Sequence, residues 1–156
     1  MTADAFRTAV MGEVRRRVSA TGWTYIYSGF HDLPVGYGYT VGLTQTFDHP
    51  EAVVVGLAEE HTAYVFGELV AKLRAGERPI VNAAVGMGLN LPVVLRHVPP
   101  SLAAQHLWVA SAFYEQQAFE AVQIVWPDAH GRFPWEAGHE RKGNYQPLLT
   151  PGPTAD

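Results

Sequence analysis

Cysteine is missing from this chain altogether. Its absence excludes disulfides, thiolate nucleophiles, iron–sulfur clusters and thiolate zinc sites, and it fits a reducing compartment. Charge is also sparse: charged residues make up 17% of the chain, and the net charge is −4 at pH 7. That balance does not supply the basic face that nucleic-acid binding needs. The one basic run, Arg15-Arg16-Arg17, falls in an amphipathic segment. It reads as a solvated helix face near the C-terminal end, where the macrodipole favours cations. No stretch approaches the roughly 18 apolar residues of a membrane span. The N-terminus carries Asp4 early and lacks the apolar run of a signal peptide. A cytoplasmic protein with no nucleic-acid or membrane partner is the expectation.

Several chemical signatures are lacking too. The seven histidines include no pair three or four residues apart, so no helix face carries a zinc-type pair and no metal site is expected. There is no phosphate loop and no serine in a nucleophile-elbow pattern. Gly36-x-Gly38 with Gly42 has the wrong third spacing for a dinucleotide turn and lies within a strand. No motif implies a cofactor.

What is present is a core. Apolar residues reach 47% over 156 residues, enough for one domain and too many for disorder. Residues 1–149 read as a single domain, with 150–156 as a frayed tail. Phe6, Val10, Val14 and Val18 recur every four positions and predict a helix over 3–20. Val65, Leu69, Val70 and Leu73 predict a second over 59–75, opened by Glu59 and Glu60 and closed by Gly76. Ser101 caps a third, running to about Glu115. Strands are expected at 23–27, 37–43, 52–57, 80–85, 92–98 and 121–126. Clustered strands with intervening helices imply an α+β fold: a mainly antiparallel sheet of about six short strands packed by three helices. A small closed or split barrel is the alternative, because the strands are short and glycine-rich.

The segment Gly36-Tyr37-Gly38-Tyr39-Thr40-Val41-Gly42-Leu43 carries the most information. Alternation puts Tyr37, Tyr39, Val41 and Leu43 on one face and Gly38, Thr40 and Gly42 on the other. Two glycines on one face imply that a helix, a strand or a ligand comes close to the backbone.

Tyr39-Thr40-Val41-Gly42-Leu43, His49-Pro50-Glu51, the apolar strand to Gly56-Leu57, Gln123 to Asp128, Gly131 to Glu136 and Gln146 to Leu149 occur in an order that resembles a bacterial family, domain of unknown function 4262. The likeness covers most of residues 22 to 149. It implies a small bacterial domain, and the family name supplies no activity.

His49 is the sharpest candidate for chemistry. It sits between two strands with Asp48 and Glu51 beside it, and a carboxylate that orients an imidazole makes a general acid–base group. The competing reading is turn chemistry, with His49 bonded to local backbone. Asp128 is the second candidate, paired with His49 or replaced by Glu51. Yet Asp128-Ala129-His130-Gly131 also matches a type I turn, in which the carboxylate satisfies turn amides. His31-Asp32 is a further group that could converge with His49. Tyr37, Tyr39, Thr40, Gly42, Gln123, Trp126, Arg132 and Trp135 are the candidate ligand-binding residues, as the lining of one concave, mostly apolar site. Two function classes follow. One binds a small molecule, with metal-independent acid–base catalysis by His49, Asp128 or Glu51. The other is an immunity-type or regulatory module that binds a protein partner without catalysis. A flavin- or haem-binding split barrel is the third.

Overall fold

The period-four stripe at the start of the chain forms α1, Ala3–Thr21, in a computed structural model that describes residues 2–29 and 34–149. The Thr2 hydroxyl caps its first turn by accepting the Ala5 N–H at 3.0 Å, and Gly22 closes it in the left-handed region at φ 93°. Met11, Val14 and Val18 are the buried residues of this helix, whereas Phe6 stays exposed. The expected tail from Thr150 to Asp156 lies outside the described residues.

Among the described residues six strands make one sheet: β1 (Thr24–Gly29), β2 (Gly36–Val41), β3 (Glu51–Val55), β4 (Ala84–Val85), β5 (Val93–Val98) and β6 (Ala121–Val125), in the order β1-β2-β3-β6-β5-β4. The central pair β3 and β6 runs parallel, with Glu51 opposite Ala121 and Val53 opposite Gln123. The other four pairings are antiparallel. The sheet is therefore mixed, which corrects the mainly antiparallel expectation. The reason lies in the connection. Between β3 and β6 the chain passes through helices and the β4–β5 hairpin, which is long enough for the crossover that a parallel pair requires. Every residue of β3 and of β6 is buried, as expected for strands covered on both faces. The sheet is also open, with β1 and β4 at its edges, so the barrel alternative and the split-barrel frame proposed for flavin or haem do not hold.

Among the described residues there are five helices rather than three: α1, α2 (Leu43–Phe47), α3 (Glu59–Arg74), α4 (Pro100–His106) and α5 (Trp108–Phe113). The expected single helix from Ser101 breaks at the fully buried Leu107. Two tyrosines on one face of β2 satisfy the broken ends. The Tyr37 hydroxyl donates to the His106 carbonyl at 2.7 Å, and the Tyr39 hydroxyl accepts the Val109 N–H at 3.1 Å. Such helix-end groups otherwise lack an intrahelical partner.

The sheet separates two apolar layers. Val53, Val55, Tyr39 and Val41 pack with α1, α4 and α5. Ala52, Val54, Val122 and Ile124 pack under α3. The close approach implied by Gly38 and Gly42 is made by the protein itself. A Cβ on Gly38 would stand 2.7 Å from Thr62 Cγ2 of α3. One on Gly42, at φ 108°, would stand 2.8 Å from the Gly22 carbonyl oxygen. Among the described residues, no helix is long and apolar enough to cross a membrane.

Candidate functional site

Glu51 begins β3 with its side chain fully buried. Burial pushes its carboxyl above the ordinary range, and hydrogen bonds from Tyr114, Thr40, Thr44 and Leu43 pull it back. Oε1 accepts the Thr40 hydroxyl at 2.7 Å and the Leu43 N–H at 3.2 Å. Oε2 accepts the N–H groups of Gly42 at 3.2 Å and Thr44 at 3.1 Å, and the Tyr114 hydroxyl donates to it as well. The three amides are the unpaired donors at the start of α2, so one carboxylate closes that helix from below. The Tyr114 hydroxyl is held protonated, its pKa raised first by burial and then by the Glu51 charge.

This cage fixes the loop that carries His49. The Thr44 hydroxyl donates to the His49 carbonyl at 3.0 Å. Asp48 ends α2 in the left-handed region at φ 53°, and its carbonyl accepts Arg78 Nη1 at 2.9 Å. His49 itself is only 6% exposed. Its Nδ1 lies 2.8 Å from the Pro50 carbonyl oxygen. A carbonyl can only accept, so that contact assigns the proton to Nδ1 and leaves a lone pair on Nε2. Nε2 has no hydrogen-bond partner among the described residues, yet it is not among their solvent-sealed orphans. It therefore reaches open space. Burial, then the Arg78 charge, lowers the His49 pKa, while the Pro50 contact works the other way.

A cleft of about 330 Å³ opens at the N-terminal ends of β3 and β6, lined by His49, Thr44, Asp48, Pro100, Phe119 and Glu120 among others. It is shaped by two chain segments that enter the parallel pair side by side. Phe119 and Glu120 precede β6 as His49 and Pro50 precede β3, and the Glu51 N–H donates to the Glu120 carbonyl at 2.9 Å. The Phe119 ring lies 5.5 Å from that of Tyr114, which ties the cleft floor to the Glu51 cage.

The other sequence candidates fall elsewhere. Asp128 follows β6 at its far end. Four residue steps from Ala121 to Val125 alone separate the two ends by about 13 Å, so the structure does not bring Asp128 and His49 together. The Asp128 carboxylate is almost wholly buried and engaged with backbone. Oδ1 accepts the N–H groups of His130 and Arg132, both at 2.9 Å, and Oδ2 accepts that of Glu140 at 2.8 Å. Those bonds, with Glu140 the largest contributor, lower its pKa to about 2. The Gly131 N–H bonds the Asp128 carbonyl at 3.0 Å, which closes the turn.

Gln123 and Trp126 serve the C-terminal strap. Gln123 donates to the Pro147 carbonyl at 3.0 Å and accepts the Leu149 N–H at 2.7 Å. The Trp126 backbone exchanges two bonds with the Gln146 side chain, and its indole donates to the Val55 carbonyl at 2.9 Å. Arg132 Nη1 donates to the Gly138 carbonyl at 3.2 Å. Trp135 stacks on Phe133 with ring centres 5.2 Å apart and carries the Arg96 guanidinium at 4.9 Å. Tyr37 and Tyr39 clamp the α4–α5 break, and Thr40 and Gly42 belong to the Glu51 cage. His31 and Asp32 lie outside the described residues.

Sequence reasoning did not single out Tyr114, Pro100, Phe119 or Glu120. Phe119 and Glu120 become visible only through the register that sets β6 beside β3. Tyr114 stands 63 positions from Glu51, and no local pattern joins them.

No curated protein and no solved structure matches the chain. The family model for a domain of unknown function, DUF4262, matches residues 17–140, most of the chain, and the chain belongs to that family.

Proposed function

We propose that this domain binds a small molecule in the cleft at the start of β3 and β6, with His49 as its acid–base group. One observation carries the reading: a buried imidazole that lines the cleft is held at Nδ1 by the Pro50 carbonyl, which leaves its Nε2 lone pair without a partner among the described residues. The lowered pKa keeps the ring neutral at pH 7, the form that accepts a proton. Nε2 then takes a proton from a hydroxyl, an amide or a water held against Phe119, and returns it to the product. Glu51 acts as a positioning residue, because its oxygens already accept five donors. Asp128 takes no part at this end of the sheet. A protein-partner reading draws instead on the exposed Phe6 and Trp108, the latter with Arg7 stacked 5.5 Å from its ring centre.

The test is nitrogen-15 NMR of the His49 ring, assigned with a His49→Gln variant. The expected result is an Nδ1–H tautomer that titrates below about 6.5, the usual histidine value. A small-molecule screen should then yield compounds that shift His49 and Phe119 together and fail to bind the variant. An Nε2–H tautomer, or bound compounds indifferent to His49→Gln, would overturn the assignment.

A further inference from the structure

The His49 cleft does not end at Phe119. A second hollow of about 230 Å³ lies against it and shares Pro100, Ala118 and Phe119 as a common wall. Its far side carries Ser111, Gln116 and Gln117. Among the described residues, none of these three side chains has a hydrogen-bond partner, so two carboxamides and a hydroxyl face open space.

The backbone around both hollows holds unusual conformations. Four non-glycine residues among those described have positive φ: Asp48 at 53°, Asn82 at 67°, Glu115 at 55° and Gln116 at 64°. Asp48 and Gln116 line the two hollows, and Glu115 adjoins Gln116. Ending a helix explains the geometry, because Gln116 donates its N–H to the Ser111 carbonyl at 2.8 Å past the end of α5. It does not explain the residue types. The same job at the end of α1 falls to Gly22, which takes that conformation without a Cβ penalty. At the hollows the chain keeps side chains where glycine is the easier choice, and strain of this kind gathers at ligand sites.

We infer that the two hollows form one groove for an elongated ligand with an apolar middle and an uncharged amide end. This rests on the reading of the His49 cleft given above. The middle lies over Phe119 and Pro100, the protic end reaches His49, and the amide end pairs with Gln116 and Gln117. A carboxamide offers one acceptor and two donors, the complement of another carboxamide. No lysine or arginine is among the described residues lining the second hollow, so nothing there pairs with an anionic end.

The probes are 4-(4-hydroxyphenyl)butanamide and 4-(4-hydroxyphenyl)butanoate, added to the full chain and followed by proton–nitrogen spectra. The amide should shift the side-chain amides of Gln116 and Gln117 together with His49, and the carboxylate should bind at least tenfold more weakly. The Gln116→Gly variant should keep or raise thermal stability while amide affinity falls at least fivefold, because it relieves the backbone and removes the contact. Shifts confined to His49 would overturn the groove and leave the cleft standing. Equal binding of amide and carboxylate would overturn the ligand class. No shift in either hollow would overturn both.

Discussion

Removing one oxygen from Tyr114 isolates the cage that holds the His49 loop. In Tyr114→Phe the ring keeps its edge-on contact with Phe113 at 5.0 Å and its contact with Phe119 at 5.5 Å. Only the hydroxyl is lost, and with it the donor to Glu51 Oε2 and a long 3.4 Å acceptor contact for the Gln45 N–H. A hydrogen bond to a charged acceptor contributes about 1.5–3 kcal/mol, against about 0.5–1.5 kcal/mol for a neutral one. The Gly42 and Thr44 amides still serve Oε2, so the carboxylate is weakened rather than orphaned. The expected loss is about 2 kcal/mol at pH 7.5, or a fall of roughly 4–8 °C in Tm for a domain of this size. The pH dependence follows from the Glu51 shift. Burial already raises its pKa, and the Tyr114 bond lowers it, so the variant raises it further. The variant then holds more protons than the wild type over the intervening range, and its stability deficit widens as pH rises through it. Below the raised Glu51 pKa the bond becomes a neutral one, and the deficit should shrink toward about 1 kcal/mol. Urea melts from pH 4.5 to 7.5 at matched m-values measure this directly. A deficit below about 0.5 kcal/mol at pH 7.5, or one that stays constant with pH, would refute the charged cage.

Two further perturbations probe the frame. Gly38→Ala places a Cβ 2.7 Å from Thr62 Cγ2 and 3.2 Å from the Ile26 carbonyl oxygen, and should cost about 1–2 kcal/mol in a urea melt. Adding Thr62→Ser removes the clashing methyl while keeping the hydroxyl bonded to the Ala58 carbonyl at 3.0 Å, and should recover most of the loss. Asp128→Asn should destabilise the fold at pH 7, because the carboxylate serves three amides. The folded pKa of about 2 lies below the unfolded value of about 3.9, so the wild-type advantage is complete above pH 4 and fades as pH falls toward 2. Because Asp128 sits at the opposite end of β6, the variant should leave His49 titration unchanged, and a shift there would contradict the two-ended layout.

Local pattern carried much of the fold. The stripe in α3, the strand positions near 24–29, 93–98 and 121–125 and the alternation in β2 as far as Val41 are legible, because periodicity reports which face of an element is buried; Leu43, expected on the face of Tyr39 and Val41, instead opens α2 and packs in the layer under α3. The pattern missed α2, whose Leu43-Thr44-Gln45-Thr46-Phe47 has modest helical preference and depends on a carboxylate from the next strand to close its amides. It also missed the break at Leu107, because the groups that satisfy it, Tyr37 and Tyr39, arrive from β2.

By itself the sequence determined that this is a cysteine-free α+β domain, that His49 lies in a connection ahead of an apolar strand, and that something presses on the glycine face of β2. The tertiary structure decided what presses there, which is α3 through Thr62. It also decided which residues meet. The parallel register of β3 and β6 places Phe119 and Glu120 beside His49, and Asp128 at the opposite end. Periodicity tells each residue which way to face. Which residue stands opposite depends on how distant strands align, and that is set by the packing of the whole core.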